Sequence, residues 1–410
     1  MGTMNDQGVD VGLRLETERA IRDSVEHYAA GLLDVSHRIH RQPELRFEER
    51  FASALLTETL QKEGFRVEIG VADLPTAFIA DFGSEADGPT VAFVLEYDAL
   101  ETIGHGCGHN VIASMGLGAA LGTKRWMEQE DRHFGRILVV GSPGEEGGGG
   151  KNHLIAAGLL DGIDAALMMH PSGENLSVMR TLGRVAVDFE FSGRAAHAAV
   201  SPHLGINALD AAVLTLNAIG LLRQQLSTDS RVHAVILDGG EAPNIIPERS
   251  LVRAYIRAED TRTLVDELQP KVENCARGAA LATGATVSIT NQSPTYAALA
   301  PNATLGALIE KNFERVGRIT EPARAEVFPG STDMGNVSQI VPAIHPNIEF
   351  VPGLGMHTRE AAALAAGKPG DEAVLDGALI MAMTAAQLFT TPELMDQVRE
   401  SFTEGVRIAL

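Results

Sequence analysis

Cysteine is almost absent from this 410-residue chain: two occur, Cys107 and Cys275, and they form no CxxC pair. That scarcity excludes a disulfide framework and fits a reducing compartment. Positive charge is also short, with 33 Lys and Arg against 54 Asp and Glu, a formal net charge of −21. A body this anionic repels phosphate backbones and anionic lipid surfaces, which argues against nucleic-acid and membrane partners. No apolar run approaches the ~20 residues of a membrane span. The opening residues, MGTMNDQGVDVGLRLETE, lack the apolar core of a signal sequence. Met1-Gly2 would suit myristoylation, but Asp6 stands where Ser or Thr is required. The expectation is a soluble, cytoplasmic protein.

At this length two domains are the default. Apolar spacing predicts helices over 16–39 and 47–63, then strands at 65–69, 76–81 and 90–96. A helix near 112–129, a strand at 136–141, a helix at 152–158 and a strand at 165–169 follow. Strands alternating with helices indicate an α/β sheet. From 185 to 290 the order changes to β-α-β-β-α-β, that of a ferredoxin-like module. Helical spacing returns at 304–316, and an alanine-rich helix near 371–389 reads as a packing element. The predicted architecture is an α/β domain with a mixed sheet (1–182 and 296–410) interrupted by a smaller α+β domain (183–295).

The stretch LVVGSPGEEGGGGKNHLIAAG, an apolar run followed by glycines, a lysine and a helix, resembles a phosphate-cradling loop. A P-loop needs GxxxxGK followed by Ser or Thr. Counting back from Gly150-Lys151 puts Glu145 at the first glycine position, and Asn152 replaces the hydroxyl residue. Glu145 and Glu146 would also repel phosphate at close range. The nucleotide reading fails on three counts. GLGAALG, Gly116 to Gly122, lies inside a helical pattern and reads as small-residue packing rather than a dinucleotide turn.

A metal is the alternative partner for the two glutamates. EYDALETIGHGCGHN follows a strand and gathers Asp98, His105, Cys107 and His109 on a glycine-rich loop. Thiolate and imidazole are common ligands of zinc and related cations, although an isolated Cys is more often a small buried residue. His170 ends an apolar strand in AALMMHPS. Asp98, Glu145-Glu146 and His170 thus all fall at or beyond carboxyl ends of predicted strands, the edge where α/β sheets assemble their sites. His357, in GLGMHTREAA, lies on a late glycine-rich loop. Of two adjacent glutamates, one can hold a metal while its neighbour takes a proton from metal-bound water.

EYDAL…GHGCGHN, SPGEEGGGGKNHLIAAGLL, MMHPS, GRAAHAAVSPHLGINALDAA, APNIIPE, GSTDMGNVS and GMHTREAA occur in this order. Together they resemble the aminoacylase/carboxypeptidase family of metal-dependent amidohydrolases. The branch is that of hippurate, indole-acetyl-amino-acid and aminobenzoyl-glutamate hydrolases and β-alanyl-lysine-type dipeptidases. The resemblance implies a metallopeptidase catalytic domain with an inserted ferredoxin-like lid and dimerisation domain. It implies two divalent metal ions (zinc, manganese or cobalt) with Cys107 bridging them, and His109, Glu146, His170 and His357 as the other ligands. Glu145 would be the general base and Asp98 the acid that orients a ligand. Glu96 stands where more distant relatives have a metal-binding His, consistent with His109 replacing it. His197 resembles a lid histidine that reaches the partner subunit's site to polarise the scissile carbonyl, and Asn244 a second oxyanion contact. Arg257 could pair with a substrate carboxylate; a solvated strand-end charge is the plain alternative. Glu101-Thr102 departs from the Pro-Gly that close relatives tend to have. His105, His153 and His203 match no ligand role.

The expected function is hydrolysis of an amide C–N bond in a small molecule: an N-acyl amino acid, a dipeptide or an aryl-amide conjugate. The rivals are hydrolysis of another C–N bond, such as that of an aromatic amine, and a catalytically inactive metal-dependent binding protein. A homodimer is expected from the resemblance.

Overall fold

The computed structural model describes residues 12–130, 134–322 and 327–409. The chain divides into two compact units. One comprises residues up to Arg180 with Leu299–Phe328 and Asp333–Ile408; the other holds Thr181–Ala298 and Pro329–Thr332.

The first unit is built on a six-stranded sheet in the order Arg66–Ile69, Phe78–Gly83, Arg136–Gly141, Thr90–Leu95, Ala165–Leu167, Ala343–Ile344. The last four strands run parallel, and the first two join antiparallel, so the sheet is mixed. TVAFVL, Thr90 to Leu95, is buried at every position. A strand covered on both faces reads as a continuous apolar run rather than an alternation. Parallel pairing brings the carboxyl ends of neighbouring strands to one edge. Leu95 pairs with Gly141, and Ser142 N donates to Leu95 O at 2.9 Å, so two segments leave the sheet side by side.

Helix His109–Gln129 is buried along most of its length between the sheet and two other helices, Leu15–Arg41 and Lys368–Thr390. Its glycines permit that. A Cβ on Gly116 would lie 2.5 Å from Leu95 Cδ1, and one on Gly118 would lie 2.7 Å from Leu32 Cδ1 and 2.8 Å from Ala378 Cβ. GLGAALG is therefore a packing surface. Lys368–Thr390 is long and apolar enough to cross a membrane, contrary to the expectation from sequence. However, 83% of its apolar window is buried against this core. The short strands His170–Ser172 and Asn347–Glu349, which pair in parallel, and helix Met334–Ile340 lie outside the elements expected from sequence. Three residues are too few to set a periodicity.

The second unit has a four-stranded antiparallel sheet ordered Thr286–Asn291, Gly183–Ser192, Arg249–Ala258, Arg231–Asp238. Numbered along the chain that is 4-1-3-2, a ferredoxin-like arrangement with helices Ala208–Leu222 and Gln269–Thr283 as its connections. Val185, Val187, Phe189 and Phe191 pack with Val252, Ala254 and Ile256 in a core of their own. The helix expected from 260 starts at Thr261 and carries a wider π stretch over Thr263–Leu268 in its first turns. Residues 329–332, assigned from sequence to the first domain, belong here: Leu182 N donates to Gly330 O at 3.0 Å.

In the first unit Glu49 is fully buried and accepts from Phe47 N (2.8 Å), Gly144 N (2.9 Å) and Thr76 Oγ1 (2.9 Å). Burial, reinforced by Asp98, pushes its pKa up to about 7. Because the folded value exceeds the ordinary 4.5, the protonated form favours folding. That stabilisation is complete below pH ~4.5 and is lost as pH rises through the folded value. Glu49→Gln, which cannot ionise, should remove a loss on the order of 2–3 kcal/mol between pH 5 and pH 8. Thermal melts of both proteins across that range measure it; identical pH dependence would refute the assignment.

Candidate metal centre

At the carboxyl edge the chain continues from Leu95 into Glu96-Tyr97-Asp98. Buried Tyr97 anchors the segment, its hydroxyl donating to Thr76 O at 2.6 Å. Strand-like alternation then turns Glu96 and Asp98 to the opposite side from Tyr97. Asp98 Oδ1 lies 2.9 Å from His109 Nδ1, and its Oδ2 accepts from Glu146 N at 2.9 Å. One carboxylate thus links the cysteine loop to the glutamate loop. Cys107 Sγ sits 3.3 Å from His170 Nε2 and 3.2 Å from His357 Nε2, partners 63 and 250 residues away. His357 Nε2 is in turn 3.3 Å from Glu146 Oε1.

Donor atoms of Cys107, His109 and His170 all lie within 4.8 Å of one another, as do those of Cys107, Glu146 and His357. Cys107 is common to both triplets. The five side chains expected to be ligands are therefore brought together. A third triplet at the same spacing joins Glu96, His109 and Glu145.

The electrostatics fit a cation. Among the described residues, His109 Nε2 and Glu146 Oε1 are buried without a hydrogen-bond partner, an arrangement that a bound ion would satisfy. Burial and then Glu146 push the Cys107 thiol far above its usual range, so a thiolate there needs positive charge beside it. Burial would lower His109, but Asp98 and Cys107 outweigh it and hold the imidazole well above its usual value. Burial and neighbouring His109 bring His170 down to about 4, leaving it a neutral donor. The Glu146 carboxylate beside it raises His357; in return, His357 and His109 together outweigh burial and lower Glu146. Glu145 is driven well upward by burial, Glu96 and Glu146.

The glycine loop takes its form from close approach. A Cβ on Gly150 would fall 1.8 Å from Pro143 O, so only glycine lets the chain double back into helix Gly150–Ala156. Lys151 then points inward. Its side chain is fully buried, with Nζ 2.5 Å from Glu96 Oε1 and 2.6 Å from Asp333 Oδ1. A lysine so enclosed meets no phosphate. Sequence reasoning misses Lys151 and Asp333 as site residues. It presents Lys151 only as a P-loop lysine, and Asp333 only inside the motif GSTDMGNVS.

The other expected residues are not members of these triplets. His105 is buried with neither ring nitrogen bonded, its pKa brought down to about 3 by burial, and it joins none of the triplets. His197, Asn244 and Arg257 belong to the second unit. His197 is exposed, bridges to Ile245, and its Nδ1 accepts from Ala199 N at 3.2 Å. Asn244 is exposed beside it, its carbonyl accepting from Ala198 N at 3.0 Å. Arg257 is half-buried, pairs in register with Arg184, and its pKa is lowered by burial and by that neighbour. Among the described residues no acid lies within ion-pair distance of Arg257.

Residues 89–387 match Peptidase family M20/M25/M40. The chain belongs to that family. It is 39% identical to the Xaa-Arg dipeptidase of Mus musculus over 396 residues, covering 94% of this chain and 92% of that relative. It is 37% identical over 291 residues to a p-aminobenzoyl-glutamate hydrolase subunit of Escherichia coli K12, covering 66% of this chain and 60% of that relative. The fold is shared with a dinuclear metal binding peptidase of the family from Bacillus subtilis. There the TM-score is 0.60 at 19% identity, over 88% of this chain and 99% of the other. The protein is accordingly a family M20 hydrolase that acts on C–N bonds of small molecules.

Two outcomes follow from this site. Thr102, at the Glu101-Thr102 departure, holds φ 72°, a left-handed conformation that a β-branched residue adopts at a cost. Thr102→Gly should therefore raise stability by roughly 1 kcal/mol in denaturant titrations, whereas a loss would contradict the strain. Cys107→Ser should weaken metal retention by more than the roughly 10–100-fold typical of outer partners. Elemental analysis after dialysis measures this, and unchanged metal content would remove Cys107 from the ligand set.

Proposed function

We propose that this chain hydrolyses the amide bond of dipeptides, N-acyl amino acids or aryl-amide conjugates. The centre would hold two divalent cations, zinc, manganese or cobalt, through Cys107, His109, Glu146, His170 and His357. The observation that carries the reading is Cys107 Sγ lying 3.3 Å from His170 Nε2 and 3.2 Å from His357 Nε2. A thiol shared by two donor triplets suits a bridging ligand. The ions would supply Lewis acidity, acidifying water and polarising the amide carbonyl.

The chain's own groups do the rest. Asp98 holds His109 through Nδ1 and leaves Nε2 to face the cation. Glu145 takes the proton of the attacking water and delivers it to the leaving amine. Burial, then Glu96 and Glu146, raise its proton affinity, which suits a group that must hold a proton between those two events. His197, acting in the site of a partner subunit, and Asn244 would donate to the developing oxyanion, as in the resemblance. Arg257 would take a substrate carboxylate, in keeping with its lack of an acidic partner among the described residues. The names of the Xaa-Arg dipeptidase and aminobenzoyl-glutamate hydrolase relatives support an amide next to an amino acid. The reading includes a cytoplasmic homodimer, with Thr181–Ala298 as lid and dimerisation domain.

Glu145→Gln should lower kcat by roughly 10²–10⁴ while metal content stays at the wild-type level. Assays over N-acyl amino acids, dipeptides and aryl amides, with elemental analysis of the same preparations, test this. Retained turnover would remove Glu145 as the base. A fully loaded wild type with no activity across the panel would overturn the function.

A further inference from the structure

The lysine that closes the glycine loop has no part in the scheme above, yet it is buried where a charge is costly. An unpaired ammonium in a protein interior costs several kcal/mol. Lys151 is at 0% side-chain exposure, and its partners Glu96 and Asp333 are at 1% and 0%. Asp333 holds it at both ends, since Lys151 N also donates to Asp333 Oδ2 at 3.1 Å. Lys151 engages only one oxygen of Glu96, Oε1; the second, Oε2, lies 3.5 Å from His109 Nε2. His109 Nδ1 is committed to Asp98, so Nε2 is the nitrogen left for a cation, and it is buried without a hydrogen-bond partner. The triplets Cys107–His109–His170 and Glu96–His109–Glu145 share His109. A cation at that nitrogen is within reach of both sets.

We propose that Glu96 is a further oxygen donor to the cation held by Cys107, His109 and His170, and that Lys151 is the positioning residue that presents it. By taking Oε1, the ammonium fixes the carboxylate plane and leaves Oε2 as a single donor atom. The inference rests on the metal-dependent reading above and goes beyond it, since neither residue is in the ligand set proposed there.

The test uses the full chain, with bound metal measured during stepwise chelator dialysis and the visible spectrum recorded after cobalt substitution. Glu96→Gln and Lys151→Met should each release one metal at least tenfold more readily and alter the cobalt bands. The double variant should lose little more than either single one, because both act on the same contact. Lys151→Arg, which keeps the charge, should recover part of the retention. Should Lys151→Met fail to fold, Glu96→Gln and Lys151→Arg carry the test. Wild-type retention and an unchanged cobalt spectrum in Glu96→Gln overturn the inference and leave the proposed function standing. A wild type that binds no metal overturns both.

Discussion

Carboxylates drawn into a water-poor space must each meet a cation, a hydrogen-bond donor or a proton, and the first unit is organised around that requirement. Glu96, Asp98, Glu145, Glu146 and Asp333 converge with the Cys107 thiol at one edge of the sheet. Asp98 is satisfied by His109 and the Glu146 N–H, and Asp333 by Lys151. Burial, Glu96 and Glu146 together drive the pKa of Glu145 upward. What remains unmatched, at His109 Nε2 and Glu146 Oε1, marks where external positive charge belongs.

The scaffold makes this concentration of charge possible by being rigid behind it. Parallel pairing delivers Glu96 and Ser142 from adjacent strand ends, and helix His109–Gln129 is locked against the sheet and two helices by glycines that admit no side chain. Strain gathers in front. Phe47, Thr102 and His357, with φ of 65°, 72° and 62°, hold left-handed conformations in the loops around the centre. Residues other than glycine keep such geometry only where neighbours over-determine it. At His357 the neighbours are visible: its N–H donates to Gly106 O at 2.9 Å while its ring meets Cys107 and Glu146.

Much of this was legible in the sequence, for physical reasons. Continuous apolar strands ending in Asp, Glu or His announce a covered sheet with chemistry at its carboxyl edge, and the βαββαβ order announces the inserted module. The family resemblance supplied the proposed ligand set, which spacing alone left open. What escaped was of two kinds. Elements of two or three residues, such as Ala343–Ile344, carry no period and are defined only by pairing with distant partners. The Lys151–Glu96–Asp333 cluster joins positions 55 and 182 residues apart along the chain. In one dimension Lys151 is the tail of a glycine loop; its meaning lies in the carboxylates it faces.

The same separation in sequence governs when the centre can exist. Its sulfur lies at position 107 and its last imidazole at 357, with the whole of Thr181–Ala298 emerging between them. During synthesis, the thiol and the first histidines are therefore released from the ribosome long before the ligand that completes them. The Cys107–His357 contact can therefore close only after the C-terminal segment, including the strand Ala343–Ile344, has been made.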